Sequence, residues 1–175
     1  LSLVENKGLN TYRIEGAVDN NIYPILFSKI KPYNSEMLKL LSKAKTILDK
    51  AKLMNIKLDY SINIDNSKPT SYADIVFNKN ELSLVQEKTS LLEKSFFLAQ
   101  KENALNNIDL FLNEKVTYKD LNIIIAITEG YDKEILRIII DALANRLDNY
   151  FILLANVDNS SVNFLCSTNS TSELI

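Results

Sequence analysis

The sequence predicts an α+β protein in which a long antiparallel helical hairpin is followed by a small βαββ globular module. Three observations carry this. Apolar residues repeat at alternating steps of three and four along 35–55 and again along 71–112. LNIIIAIT (121–128) and YFILLANV (150–157) are almost continuous apolar runs of strand length. Between them, EGYDKEILRIIIDALANRLDN (129–149) switches to helical periodicity. The expected division is residues 1–33 as the remnant of a preceding unit with its connector, 34–113 as the helical hairpin with an insertion at 55–70, and 114–175 as the α/β module.

In chain order, TYRIEG suggests a brief strand around Leu9 to Ile14, with Arg13 and Glu15 on one side at period-2 spacing. Pro24 and Pro32 predict that any helix over 20–33 is short and broken. Ser35 is then the expected N-cap of the first long helix, with Glu36 in its first turn. Met37, Leu41, Ala44, Leu48 and Ala51 form its seam. Lys39, Lys43 and Lys50 border one side of that seam and Lys45 and Lys52 the other. Such lysines either cover the seam and pair with acids opposite, or track a phosphate backbone.

KLDYSINID alternates Leu58, Tyr60, Ile62 and Ile64, which suits an extended segment or a small hairpin arm before the turn-rich DNSKPTS. From Ser71 or Tyr72 one helix runs to about Leu112, without Gly or Pro, along a seam of Leu82, Val85, Thr89, Leu92, Phe96 and Ala99. Its Glu81, Glu87 and Glu93 face a lysine-bearing partner in the expected antiparallel pair. Phe96 and Phe97 fall on different faces, so one of them is open to a second chain or turns onto the terminal module. In that module Asp132 is the expected N-cap of a helix whose broad apolar face (Ile135, Ile139, Leu143, Leu147) covers a sheet. Strand, helix and strand imply a right-handed βαβ unit, and the DNS turn adds an antiparallel third strand ending near Cys166.

Composition narrows the chemistry. Histidine is absent and Cys166 is the single cysteine, so no zinc constellation can be written. The glycines are Gly8, Gly16 and Gly130, too few for a phosphate-cradling loop. No catalytic residue and no cofactor are assigned to this segment. No apolar run approaches the roughly 20 residues of a membrane span, and the first residues lack the pattern of a signal peptide, so the expected location is cytoplasmic with no membrane partner. Residues 1–57 carry ten Lys and Arg against five Asp and Glu, a net of +5, whereas 58–175 carry ten against seventeen, a net of −7. A polyanion is favoured on the first third, unless the two parts simply attract each other.

Gly130, Asp132, Lys133, Leu136 and Arg137 match a Gly-x-Asp-Lys-x-Leu-Arg pattern, preceded by the 121–127 strand and followed by LDNYFILLAN and VNFLCS. With RIEG near the start and two long helices between, the order resembles the C-terminal region of alanyl-tRNA synthetase: the end of the editing domain, the helical linker and the DHH-associated C-terminal domain. It covers most of the chain except about 55–70. In the family a pair of arginines stands where this chain has Tyr12 and Arg13, and a glycine-rich segment follows the third strand.

The resemblance implies a non-catalytic part of an alanine-tRNA ligase that assists tRNA binding, dimerisation or both. The alternative is a homodimerisation module without direct RNA contact. It also implies that ATP, magnesium and zinc belong to the parent enzyme alone, that tRNA for alanine is the partner, and that a homodimer would form through 72–112 and the terminal module. Candidate tRNA-binding residues are Lys39, Lys43, Lys50, Lys119, Lys133, Arg137 and Arg146, although acids outnumber bases in the terminal module. A third possibility, a phosphoesterase-associated domain, lacks metal ligands and a glycine loop here.

Overall fold

The computed structural model describes residues 2–6, 12–16, 18, 21–63, 71–158 and 161–169. The chain divides into two compact units, 1–47 with 59–93, and 48–58 with 94–175. The α+β class stands: long helices precede a four-stranded mixed sheet with one covering helix.

The first unit opens with β1 (Ser2–Asn6) and β2 (Tyr12–Glu15), an antiparallel pair with an irregular register between Leu3 and Glu5. β2 overlaps the expected strand over residues 12–14, residues 9–11 of that expectation lie outside the described ones, and β1 is an additional strand. The side chains of Arg13 and Glu15 lie outside the described residues.

Helix α1 runs unbroken over Ile22–Leu53, which corrects the expectation of a break before Ser35. Pro24 sits in the first turn, where its missing N–H has no intrahelical partner to lose. Pro32 lies inside the helix and leaves one carbonyl of the ladder without its donor. The apolar seam offsets that loss: Ile30, Met37, Ala44 and Ala51, seven residues apart, are all buried, and Leu26 extends the row. Ser35 therefore lies mid-helix, and Glu36 pairs with exposed Lys39 one turn on.

Helix α2 (Ala73–Asn106) buries Val85, Thr89, Leu92 and Phe96 as expected, and then Gln100 in place of Ala99. The helices pair in a different sense from the one expected. In the first unit Lys43 of α1 pairs with Glu93 of α2. In the second, Met54 at the end of α1 lies beside Gln100, near the end of α2, with Nε2 3.3 Å from the sulfur. The contacts advance together, so the helices run parallel. A heptad seam does not encode the sense of pairing; the connection decides it. Ile56, Leu58, Tyr60 and Ile62 are half-buried in alternation. Tyr60 shares a hydrogen bond with Thr89 (3.2 Å), and Lys88 donates to the Ser61 carbonyl (2.9 Å). This extended segment lies beside α2, with Tyr60 and Ser61 level with Thr89 and Lys88.

In the second unit, α3 (Ile108–Asn113) continues α2 after a break at Asn107. The sheet then forms from β3 (Val116–Tyr118), β4 (Leu121–Glu129), β5 (Tyr150–Asp158) and β6 (Ser161–Thr168), in that spatial order. β4 and β5 are parallel, and the outer pairs are antiparallel. Helix α4 (Lys133–Ala144) is the crossover. It buries Ile135, Leu136, Ile139, Ile140 and Leu143 against Ile124, Ala126, Ile152 and Leu154, with Ala104 and Ile108 completing the core. Phe97 packs against the same core, so it turns onto the module. The βαββ order is as expected, and β3 is an added edge strand of three residues.

Candidate nucleic-acid interface and the cleft at Gly130

Residues 130–132 join the carboxyl end of β4 to α4, the end of a parallel pair at which α/β sheets carry ligand crevices. Gly130 has φ +74°, a left-handed conformation that disfavours a Cβ. Its N–H donates to the Val157 carbonyl (3.0 Å), and its own carbonyl accepts from buried Gln100 Nε2 (3.1 Å). One step along, Asn156 holds Tyr131 by both backbone groups: Oδ1 accepts from the Tyr131 N–H (3.3 Å) and Nδ2 donates to its carbonyl (3.0 Å). The same Oδ1 accepts from the Thr128 hydroxyl at 3.0 Å. Burial pushes the Tyr131 phenol above its ordinary pKa, against a smaller lowering from its hydrogen bond with Asn107.

A cleft of about 210 Å³ lies here, lined by Lys50, Met54, Asn103, Asn107, Tyr131 and Asp158, among others. Lys50 Nζ stands 3.4 Å from Asp158 and 4.0 Å from Asp132, with a side chain 25% exposed. Asp132 occupies the N-cap of α4 without a side-chain capping bond, so its carboxylate is left to this ion pair. With Glu129 also lining the cleft, acids outnumber the single ammonium. A phosphate chain gains nothing from such a site. Among the described residues no group of three His, Cys, Asp or Glu could hold a metal ion, and no helix is long and apolar enough to cross a membrane.

The seven cations proposed from sequence are not gathered into one place. In the first unit, Lys39 and Lys43 are exposed one turn apart on α1 and paired with Glu36 and Glu93. At such exposure these pairs hold the ammonium groups weakly. In the second unit, Lys50 is the cleft residue already described. Lys133 and Arg137 project from the first two turns of α4, exposed, with no ion pair among the described residues. Lys119 and Arg146 belong to the opposite end of the sheet, where β4 begins and α4 has ended. Lys119, in a left-handed turn (φ +52°), places Nζ 5.4 Å from the Tyr118 ring centre, and Arg146 pairs with Asp109.

Sequence reasoning missed Gln100, Thr128 and Asn156. The last had a signal: it is the one polar side chain inside the apolar run YFILLANV, and a buried amide requires partners.

The second unit is thus a small mixed α/β module fastened to the ends of two long helices. Comparison with known proteins sharpens this class. The chain is 24% identical over 159 residues to the alanine–tRNA ligase of Onion yellows phytoplasma (strain OY-M), and 24% identical over 157 residues to that of Aster yellows witches'-broom phytoplasma (strain AYWB). Each match takes in 90% of this chain and 17% of the relative's length, so the chain spans about a sixth of the curated relatives it matches. The similarity is consistent with a C-terminal region of alanine–tRNA ligase, in keeping with the resemblance of its motifs. No family model and no solved structure matches.

Proposed function

We propose that this chain is a non-catalytic C-terminal region of an alanine–tRNA ligase and that it assists tRNA binding. The observation that carries the reading is the similarity to two such ligases along 90% of the chain. Lys133 and Arg137 support it, as an exposed pair one turn apart at the start of α4, a spacing that suits neighbouring phosphates of an RNA backbone. Lys119 beside exposed Tyr118 offers a cation and an aromatic face at the other end of the module. The acidic cleft around Lys50 takes no part in this.

The test is fluorescence anisotropy of labelled alanine tRNA with the whole chain at low salt. Binding weakened several-fold by Lys133→Ala with Arg137→Ala is the expected result, and no measurable binding at low salt overturns the reading. A second reading, homodimerisation without RNA contact, is favoured by one feature, the open outer face of the sheet.

A further inference from the structure

The first turns of α1 take no part in the sites described above. Residues 22–47 of that helix belong to the first unit and hold five lysines against one acid, Glu36. At about 100° per residue, Tyr23, Phe27, Lys31, Leu38 and Lys45 fall within a sector of about 80°, beside the buried seam of Leu26, Ile30, Met37 and Ala44. All five are exposed: Tyr23 53%, Phe27 57% and Leu38 67%, with Lys31 and Lys45 likewise open. Neither of these lysines has an ion pair among the described residues. Glu36 lies on the opposite side of the helix with its partner Lys39, and there Lys43 is held by Glu93. The stripe therefore carries two open rings, two unpaired ammonium groups and no carboxylate.

We infer that this stripe binds single-stranded RNA, stacking unpaired bases on Tyr23 and Phe27 and pairing phosphates with Lys31 and Lys45. Rings that receive bases, set beside cations that follow the backbone, hold single strands with little regard to sequence. Spacing selects the occupant. The two rings stand one turn apart, a rise of about 6 Å against about 3.4 Å per nucleotide in a stacked strand, so they suit bases splayed apart and not a duplex. From Tyr23 to Lys45 the helix rises about 33 Å, room for a run of roughly five nucleotides at that spacing. A lipid surface would need a broad, continuous apolar face, and on α1 that face is the seam already buried within the protein. The inference rests on the RNA-binding reading proposed above, but it places the contact on other residues and on unpaired nucleotides.

The experiment is fluorescence anisotropy of the whole chain at low salt with three labelled probes: a single strand of about ten nucleotides and mixed sequence, the same strand in a duplex, and alanine tRNA. The parent is expected to bind the single strand roughly tenfold more tightly than the duplex. Tyr23→Ala and Phe27→Ala should each weaken the single strand about tenfold, within the range that loss of one stacked base produces. Tyr23→Phe keeps the ring and should bind as the parent does. Lys31→Ala with Lys45→Ala should flatten the salt slope by about 1.4, the value for two single-strand phosphates. All four side chains are exposed, so circular dichroism should show every variant folded as the parent is. A duplex bound as tightly as the single strand overturns the inference. So do ring variants that bind the single strand like the parent, or a Tyr23→Phe that loses as much as Tyr23→Ala. Binding to vesicles of phosphatidylcholine and phosphatidylserine that the ring variants abolish, with RNA binding intact, also overturns it in favour of a lipid surface. tRNA bound with no affinity for the single strand sinks this inference and leaves the proposed function standing. The single strand bound without tRNA does the reverse, and no binding to any of the three probes overturns both.

Discussion

Asn156→Ala is the sharpest test of how the carboxyl end of the sheet is held. The side chain is 2% exposed and makes three hydrogen bonds, one with the Thr128 hydroxyl and two with the backbone of Tyr131. Alanine removes all three. Thr128 is buried, so its hydroxyl loses its partner outright, at about 1–2 kcal/mol. Tyr131 is only half-buried and borders the cleft, so water can replace part of what it loses, and its two groups add about 1 kcal/mol together. The expected destabilisation is therefore about 2–3 kcal/mol. The chain has no tryptophan, so unfolding in urea is best followed by circular dichroism, with the midpoint shift converted through the slope. Adding Thr128→Val removes the orphaned hydroxyl and should recover about 1 kcal/mol, a coupling that simple loss of packing would not produce. A loss below about 0.5 kcal/mol, or a double variant no more stable than the single one, would refute the reasoning.

Two further outcomes concern neighbouring residues. Gly130→Ala should cost about 1–2 kcal/mol from backbone strain at a left-handed φ. The added Cβ meets Met54 at an ordinary 3.8 Å, so Gly130→Asn, which tolerates that φ better, should recover part of the loss in the same urea experiment. For Tyr131, burial raises the folded pKa, so the unfolded chain releases the phenol proton first. Its contribution to stability is then complete below about pH 10 and is lost as pH rises through the raised folded value. Stability followed from pH 9 to 11 should fall less steeply in Tyr131→Phe than in the parent; equal slopes would contradict this.

The terminal module was legible because its period changes twice, from an apolar run to helical spacing and back, and because Asp-Asn-Ser marks the hairpin. β3 was not, since three residues of VTY carry no period and are strand only by pairing with Leu121, Asn122 and Ile123. Pro24 and Pro32 misled because a local rule was set against a seam that continues through them from Leu26 to Ala51. The parallel sense of α1 and α2 depends on where the 56–63 segment lies, which neither seam encodes. Among the site residues, Lys133 and Arg137 could be read from helical spacing alone. The partners of Lys50 could not: Asp158 is 108 residues away and meets it only through the fold.

The central claim, that this region assists tRNA binding, is tested most directly by the salt dependence of that binding. Dissociation constants for alanine tRNA would be measured across roughly 25–200 mM salt for the parent and for the Lys133→Ala, Arg137→Ala double variant. Two lost phosphate contacts should flatten the slope of log affinity against log salt by roughly 1.4–1.8. An unchanged slope, or affinity that does not respond to salt, would contradict the account.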